Sequence, residues 1–253
     1  MKRFSNEGVG IAYIDVPALE GEGPPVLLIH GFASNAQVNW VGTGWVKTLV
    51  GAGRQVIVID NRGHGQSEKL YDQARYSAPV MADDAARLLR HLKIEKADVM
   101  GYSMGARISA FLTMQHPEMV HRAVFAGLAS RMITGVGGSD DIAEALEAEG
   151  RPETLDRAAM AFRIFAEQTK SDLKALAACI RSSRVKIKEE ALAAIQVPVL
   201  VVAGELDDIA GNVEGLTSII PESKGVVLPK RNHMNAVGDS GYKAAVLEFL
   251  NAP

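Results

Sequence analysis

The chain has 253 residues, of which 47% are hydrophobic and 23% charged, with a formal net charge of −3. This composition is typical of a globular protein and argues against a disordered chain, and the lack of basic blocks argues against nucleic acid and anionic membranes as partners. The one cysteine excludes an internal disulfide, and Cys179 among apolar neighbours is expected to be buried. Because the chain shows neither a signal peptide nor the roughly 18 apolar residues of a membrane span, we expect it to be cytoplasmic.

The first half of the chain alternates between predicted strands and predicted helices. A weakly alternating segment, residues 8–16, is expected to form a strand that pairs with its neighbour through a turn at residues 20–25. Continuous apolar runs, typical of strands buried on both faces, begin at residues 26, 55, 98 and 123. Helices are expected at residues 45–50, at residues 78–92, and from the end of the third apolar strand to just before Pro117. This alternation favours a mainly parallel sheet with helices on both faces.

The alternation breaks after residue 128. Glycines at positions 135, 137 and 138 indicate a flexible crossing, and apolar residues at helical spacing follow. One stripe contains Leu155, Ala158, Ala159, Phe162 and Phe165, and a second contains Leu173, Leu176, Ala177 and Ile180. Strands return at residues 198–203 and 225–228, and a final helix carries Val246, Phe249 and Leu250. We therefore predict a helical cap, residues 129–187, inserted into a core that comprises residues 1–128 and 188–253.

The segment Gly101-Tyr102-Ser103-Met104-Gly105 joins a short apolar strand to a helix. A serine on so sharp a turn adopts a strained backbone, and side chains two residues away on either side would collide there. Glycine at positions 101 and 105 removes both collisions and leaves the Ser103 hydroxyl exposed above the sheet. The turn also sets Ser103 at a helix N-terminus, where unpaired backbone N–H groups stabilise developing negative charge. This segment resembles the nucleophile elbow of the α/β-hydrolase family.

Four further segments resemble signatures of that family and follow one another in the family's order. They are His30-Gly31-Phe32, the loop at residues 60–67, Gly204-Glu205-Leu206-Asp207 and Asn232-His233. Together with the elbow, these segments extend over essentially the whole chain. The resemblance therefore implies the α/β-hydrolase fold, a mainly parallel central sheet flanked by helices, with the cap inserted after the strand that follows the elbow helix.

A serine hydroxyl needs an adjacent base to act as a nucleophile, and the base needs an orienting acid. Because ligands of parallel sheets bind at the carboxyl ends of the strands, His30, His64 and His233 are the candidate bases among the six histidines. The resemblance implies His233 as the base and Asp207 as the acid, in the chain order that the family shows. Asp208 stays as an alternative acid, because a slip of one residue in the loop exchanges the two.

The oxyanion hole is expected to consist of two backbone N–H groups. One belongs to Met104, the residue after the nucleophile, and the resemblance implies Phe32 as the other. His30 is expected mainly to form hydrogen bonds within the scaffold, and it is also included in the candidate pocket. The candidate pocket residues are His30, Met132, Ile133, Phe162 and Phe165. No spacing supports a metal site at His30, Asp60 and His64, and we expect no metal, nucleotide or flavin cofactor.

A serine nucleophile with a base and an acid predicts a serine hydrolase that cleaves small-to-medium carboxylic esters through an acyl-enzyme on Ser103. The same residues also suit hydrolysis of a carbon–carbon bond next to a ketone, hydrolysis of a lactone, or cofactor-free perhydrolysis. A further alternative is a binding protein that uses the pocket to sense a small molecule, as some relatives do. The short cap favours a small-to-medium apolar substrate over a long lipid. The sequence leaves the oligomeric state open.

Overall fold

The structure is a computed structural model that describes residues 1–21, 23–151 and 156–252. Within these residues the chain forms one eight-stranded sheet. The strands are β1 (Lys2–Asn6), β2 (Val9–Val16), β3 (Gly23–Ile29), β4 (Arg54–Ile59), β5 (Ala97–Tyr102), β6 (Val120–Ala126), β7 (Val199–Gly204) and β8 (Ser223–Leu228). Their order is β1-β2-β4-β3-β5-β6-β7-β8, in which β1 and β2 are antiparallel to their neighbours and all other pairs are parallel. The predicted mainly parallel α/β sheet is confirmed.

Ten α-helices accompany the sheet in the described part of the chain. They are α1 (Trp45–Gly51), α2 (Ala78–His91), α3 (Met104–Gln115), α4 (Arg131–Thr134), α5 (Ser139–Glu147), α6 (Arg157–Gln168), α7 (Leu173–Ser183), α8 (Glu189–Ala193), α9 (Glu214–Thr217) and α10 (Ser240–Leu250). One π-helix, Gln37–Val41, precedes α1. Two 3₁₀-helices lie at Gln73–Arg75 and Pro117–Met119. None of the helices in residues 1–21, 23–151 and 156–252 is long and apolar enough to cross a membrane.

The sheet separates two apolar clusters, because successive side chains of a strand point to opposite faces. Leu27 and Ile29 of β3 lie in the cluster that includes residues of α2 and α3. Val26 and Leu28 lie in the other cluster, with residues of α1 and α10. All six residues of β5 and all six of β7 are buried. Burial on both faces explains why these strands have nearly continuous apolar sequences.

The predicted pairing of residues 8–16 with the strand after the turn at residues 20–25 is wrong. β2 pairs instead with β1 and with β4, where Tyr13 lies opposite Ile59. Both edges of β3 are already occupied by β4 and β5, which bury its apolar residues completely. The half-buried end of β2 tolerates water and therefore suits an outer position. Strand β1 has no counterpart among the predicted strands, and Glu22 in the predicted turn lies outside the described residues.

Helices α4 to α8 lie between β6 and β7, where the sequence predicts a helical insertion. Helix α5 packs against α6 and α7, and its residues Ile142 and Leu146 are buried there. In the first predicted stripe Ala159 is buried, Ala158 is exposed, and Leu155 lies outside the described residues. Helix α8 begins after residue 187, and the domain boundaries stay a prediction.

Candidate active site

The turn between β5 and α3 holds Ser103 in a strained conformation, with φ +57° and ψ −114°. Its backbone N–H donates a hydrogen bond to the Ala126 carbonyl (2.7 Å), which anchors the turn to β6. A Cβ atom on Gly105 would lie 2.0 Å from the Ile29 carbonyl oxygen, and one on Gly101 would lie 2.1 Å from the Gly105 oxygen. Only glycine therefore fits at both positions, and the Ser103 side chain remains partly accessible above the carboxyl ends of the strands.

Ser103, His233 and Asp207 form one hydrogen-bonded chain. The Ser103 Oγ atom lies 3.0 Å from His233 Nε2, and His233 Nδ1 lies 2.9 Å and 3.0 Å from the two carboxylate oxygens of Asp207. Because a carboxylate only accepts hydrogen bonds, this network assigns the proton of the neutral ring to Nδ1 and leaves Nε2 to accept the hydroxyl proton. Asp208 is exposed, whereas the Asp207 side chain is fully buried. The carboxylate that contacts His233 is thus that of Asp207 and not of Asp208.

Two loops, after β7 and after β8, bring the acid and the base together. A Cβ on Gly204 would lie 2.2 Å from the Arg231 carbonyl oxygen, so glycine permits the close approach of these loops. The same carbonyl accepts a hydrogen bond from the Leu206 N–H (2.8 Å). The Asp207 Oδ1 atom also accepts hydrogen bonds from the N–H groups of two residues that follow it in the loop. These donors are Ile209 (3.0 Å) and Ala210 (2.9 Å). The carboxylate is therefore oriented before any ligand binds.

Tyr102 contacts both the backbone and the ring of the candidate base His233, a positioning role that the sequence pattern did not suggest. Its hydroxyl donates a hydrogen bond to the His233 carbonyl (2.7 Å), and its ring centroid lies 5.5 Å from the imidazole. Burial raises the pKa of Tyr102 far above its ordinary value, so the hydroxyl keeps its proton. Tyr102 occupies the variable position between Gly101 and Ser103 in the Gly-x-Ser-x-Gly pattern, so the pattern does not specify which residue stands there.

The predicted oxyanion donors are the backbone N–H groups of Phe32, in the loop after β3, and of Met104, the residue after Ser103. Neither backbone N–H donates to an acceptor within the described residues. The carbonyl of the Gly31–Phe32 peptide accepts a hydrogen bond from His30 Nδ1 (2.8 Å), so the N–H of the same peptide points the opposite way. The Gly31 N–H donates to the Asn39 Oδ1 atom (3.1 Å). His30 and Asn39 therefore fix the orientation of the Phe32 N–H.

Two of the candidate pocket residues do not line an open site. His30 and Met132 are fully buried, so neither side chain has surface to present to a substrate, and their assignment to the pocket is corrected. His30 instead donates to the carbonyl of Gly31, and it accepts a hydrogen bond at Nε2 from the Asn61 N–H (3.0 Å). Both ring nitrogens of His30 are thus engaged. Within the described residues no group of three or more His, Cys, Asp or Glu side chains is arranged to hold a metal ion.

The helices between β6 and β7 contact both candidate oxyanion residues. The ring of Phe162 in α6 lies 6.0 Å from the ring of Phe32, and the Thr169 hydroxyl donates to the Ala33 carbonyl (2.8 Å). The Cys179 Sγ atom of α7 lies 4.0 Å from Met104 Sδ, which leaves this cysteine buried as expected. Ile133 and Phe165 are half-buried, and their part in a substrate pocket stays a prediction together with that of Phe162.

A pH dependence of stability follows from two buried histidines, His30 and His64, that lie close to Phe32. Burial lowers the pKa of His30 to about 4 and that of His64 to about 3, and the centroids of the two rings lie 5.2 Å apart at a tilted angle. A histidine in the unfolded chain has a pKa near 6.5. As the pH falls below this value, the unfolded chain binds protons at these two histidines, whereas the folded chain does not until much lower pH. Stability is therefore complete above pH 6.5 and falls as the pH decreases, by about 1.4 kcal/mol per histidine and pH unit until the folded pKa is reached.

Between pH 6.5 and pH 5, the free energy of unfolding should decrease in both the wild type and the His64→Asn variant. We expect the decrease to be smaller in the variant by about 2 kcal/mol, because one buried histidine is absent. The asparagine amide retains a donor for the Arg62 carbonyl, which His64 Nδ1 contacts at 2.9 Å, but does not titrate. Urea unfolding followed by circular dichroism at several pH values measures the difference. His91→Asn, at an exposed position of α2, is the control and should keep the wild-type slope. Equal slopes for wild type and His64→Asn would contradict the expected titration.

Comparison with known proteins identifies the family. The model described as alpha/beta hydrolase fold matches residues 24–148. A 2-hydroxymuconate semialdehyde hydrolase of Pseudomonas sp. (strain CF600) is 37% identical over 128 residues, which are 51% of this chain and only 42% of that protein. A pimeloyl-[acyl-carrier protein] methyl ester esterase of Aeromonas hydrophila is 27% identical over 237 residues, which cover 84% of this chain and 89% of that protein.

Solved structures extend the similarity to the whole chain. The enol-lactonase from Burkholderia xenovorans LB400 superimposes with a TM-score of 0.80 and covers 99% of this chain and 100% of that chain. Its sequence identity is 20%, so this similarity concerns the fold. The matched family segment contains the loop after β3 with Phe32, the turn that holds Ser103 and the first part of the helical insertion. Sequence and fold thus agree that the chain belongs to the alpha/beta hydrolase fold family.

Proposed function

We propose that this hydrolase-family protein is a serine hydrolase that cleaves small-to-medium carboxylic esters through an acyl-enzyme on Ser103. The observation that carries the proposal is the hydrogen-bonded chain from Ser103 Oγ through His233 to Asp207, with a 3.0 Å distance between Oγ and Nε2. A nucleophile, a base within hydrogen-bond distance and an orienting acid are the groups that acyl transfer requires. The proposed partner is a small ester-like molecule and neither nucleic acid nor a membrane.

In the first half of the proposed reaction the Ser103 oxygen attacks the ester carbonyl carbon while His233 Nε2 takes the hydroxyl proton. Asp207 stabilises the imidazolium that forms. The carbonyl oxygen becomes an oxyanion that accepts hydrogen bonds from the N–H groups of Phe32 and Met104, which have no other acceptor among the described residues. The tetrahedral intermediate then expels the alcohol, which receives the proton from His233, and the acyl group stays on Ser103.

In the second half a water molecule attacks the acyl-enzyme with His233 again as the base. The same two N–H groups hold the second oxyanion, and the acid product leaves as Ser103 regains its proton. The aromatic rings of Phe162 and Phe165, with Ile133, are proposed to form the apolar wall on the side of the helical insertion. Half-burial of these three side chains supports this assignment. The similarity to a methyl ester esterase over 84% of the chain supports an ester as the substrate.

Hydrolysis of a carbon–carbon bond next to a ketone is the second candidate reaction. The observation that favours it is the 37% identity to a 2-hydroxymuconate semialdehyde hydrolase across 128 residues. The serine, histidine and aspartate would serve in that reaction as well, because a ketone carbonyl also forms an oxyanion upon attack. Lactone hydrolysis stays a further candidate, because the same three residues suit attack on a lactone carbonyl.

Trapping of the acyl-enzyme tests the proposal. We expect 4-nitrophenyl acetate, butyrate and octanoate to give a rapid release of nitrophenolate followed by steady turnover. Intact-mass and peptide mass spectrometry should then find one acyl group per chain, on the peptide that contains Ser103. Steady turnover with the acyl group on another residue would contradict the proposal. Inert esters together with cleavage of a vinylogous diketone would favour carbon–carbon hydrolysis, and thermal stabilisation by a ligand without any product would favour a binding protein.

A further inference from the structure

Arg184, at the C-terminal end of α7, is a half-buried cation without an acidic partner in the described part of the chain. Its guanidinium donates one hydrogen bond, to the Gly137 carbonyl, and its Cζ atom lies 5.7 Å from the centroid of the Phe162 ring. Desolvation lowers the pKa of Arg184 to about 10, so the side chain still carries its charge at neutral pH. A guanidinium has five N–H donors, and most of them remain unused here.

Two independent contacts locate Arg184 beside the candidate active site. On one side, the Phe162 ring that it covers lies 6.0 Å from the ring of Phe32, whose N–H is a candidate oxyanion donor. On the other side, the guanidinium of Arg107 donates to the carbonyl of Val185, the residue after Arg184. Arg107 follows Ser103 by four positions on α3, which corresponds to about 6 Å along a helix. Arg184 is therefore separated from the candidate oxyanion residue Phe32 by one aromatic ring, and it precedes the residue that Arg107 contacts.

Arg107 is a second buried cation in this region, but its donors are used within the protein. Its side chain is only 2% exposed. It donates hydrogen bonds to the carbonyls of Met132 and Val185, and these bonds hold the two ends of the helical insertion against α3. Arg184 is more exposed and less completely hydrogen-bonded. Of the two arginines, Arg184 is thus the one with both accessible surface and free donors for a ligand.

We propose that Arg184 binds a carboxylate at the far end of the substrate's acyl chain, so that the preferred substrates are monoesters of dicarboxylic acids. A planar guanidinium held over an aromatic ring presents its edge for paired hydrogen bonds with a carboxylate. A charge at a desolvated position binds an opposite charge more strongly than a charge in water does. The proposal rests on the proposed ester hydrolysis, because it names the substrate class of the same site.

The test compares two esters of equal chain length, mono-4-nitrophenyl adipate and 4-nitrophenyl hexanoate, which differ by the terminal carboxylate. We expect the wild type to show a kcat/KM at least about tenfold higher for the adipate. In Arg184→Gln this ratio should fall by about 10- to 100-fold, mostly through KM, and Arg184→Lys should restore part of it. The control is Arg181→Gln on the same helix, which removes the same charge from a pair with Glu147 and should keep the wild-type ratio.

A wild type that prefers the hexanoate would overturn the assignment of Arg184. An Arg184→Gln variant that loses both activities in equal proportion would also overturn it, because that result indicates a structural role. If the wild type cleaves neither ester, the proposed ester hydrolysis fails, and calorimetric titration with adipate and hexanoate then decides about Arg184. Tighter binding of adipate that is lost in Arg184→Gln would support the carboxylate site, and equal binding of the two acids would refute it.

Discussion

Replacement of Ser103 by alanine is expected to lower kcat for 4-nitrophenyl butyrate by about 10⁴-fold or more. The substitution removes the oxygen that lies 3.0 Å from His233 Nε2, and the other hydroxyl of the elbow, that of Tyr102, already donates to the His233 carbonyl. Residual hydrolysis would then come from water oriented by the remaining base and oxyanion donors. Alanine is smaller than serine, so the fold and the substrate affinity should remain.

Steady-state kinetics on the purified variant measure this loss, with circular dichroism and a melting curve to verify the fold. Ser218→Ala serves as the matched control, since Ser218 is exposed at the end of α9 and far along the chain from the elbow. It should retain the wild-type kcat. A Ser103→Ala protein that hydrolyses the ester at an undiminished rate would exclude Ser103 as the nucleophile.

Replacement of Asp207 by asparagine is expected to lower kcat by about 10³- to 10⁴-fold. The Oδ1 atom of residue 207 accepts hydrogen bonds from the Ile209 and Ala210 N–H groups, so the asparagine should keep its oxygen there. Its NH₂ group would then face His233 Nδ1 and force the ring proton onto Nε2. A protonated Nε2 cannot accept the Ser103 proton, and the variant therefore loses general-base catalysis although its shape is unchanged.

The neighbouring substitution Asp208→Asn is the control, because Asp208 is exposed and makes no contact with His233 among the hydrogen bonds of the described residues. We expect it to alter kcat by less than about twofold, in line with surface substitutions elsewhere. Measurement of kcat for both variants on the same ester distinguishes the two carboxylates. Comparable losses in both variants, or a larger loss in Asp208→Asn, would show that Asp207 is not the carboxylate that orients His233.

Local sequence was sufficient for much of this fold. The apolar runs at β3, β4, β5 and β6 predicted strands buried on both faces, and the structure buries most residues of these strands. Such runs report the environment of a strand directly, because every second residue faces each side of the sheet. The glycines around Ser103 were equally informative, since a Cβ at Gly105 has no space beside the Ile29 carbonyl. At this turn the backbone conformation of Ser103 requires glycine two residues away on either side, so a few adjacent residues suffice to recognise it.

Strand order and loop register were decided by contacts between residues distant in sequence. β2 pairs with β4 and not with β3, because both edges of β3 belong to more completely buried neighbours. The choice between Asp207 and Asp208 depended on the approach of the β7 loop to the β8 loop, which Gly204 permits at the Arg231 carbonyl. A difference of one residue in a loop is invisible to periodicity, since loops have none.

By itself, the sequence determined the α/β class, the elbow serine and the histidine and acidic loop that face it, since each depends on a strand end or on a few adjacent residues. Only the tertiary structure decided that His30 is fully buried and hydrogen-bonded to the Gly31 carbonyl, and that Arg184 stands over the ring of Phe162. The physical reason is that burial and side-chain direction depend on how α6 packs against the loop after β3, as in the contacts of Phe162 with Phe32 and of Thr169 with Ala33. That packing joins segments more than a hundred residues apart, which no local pattern records.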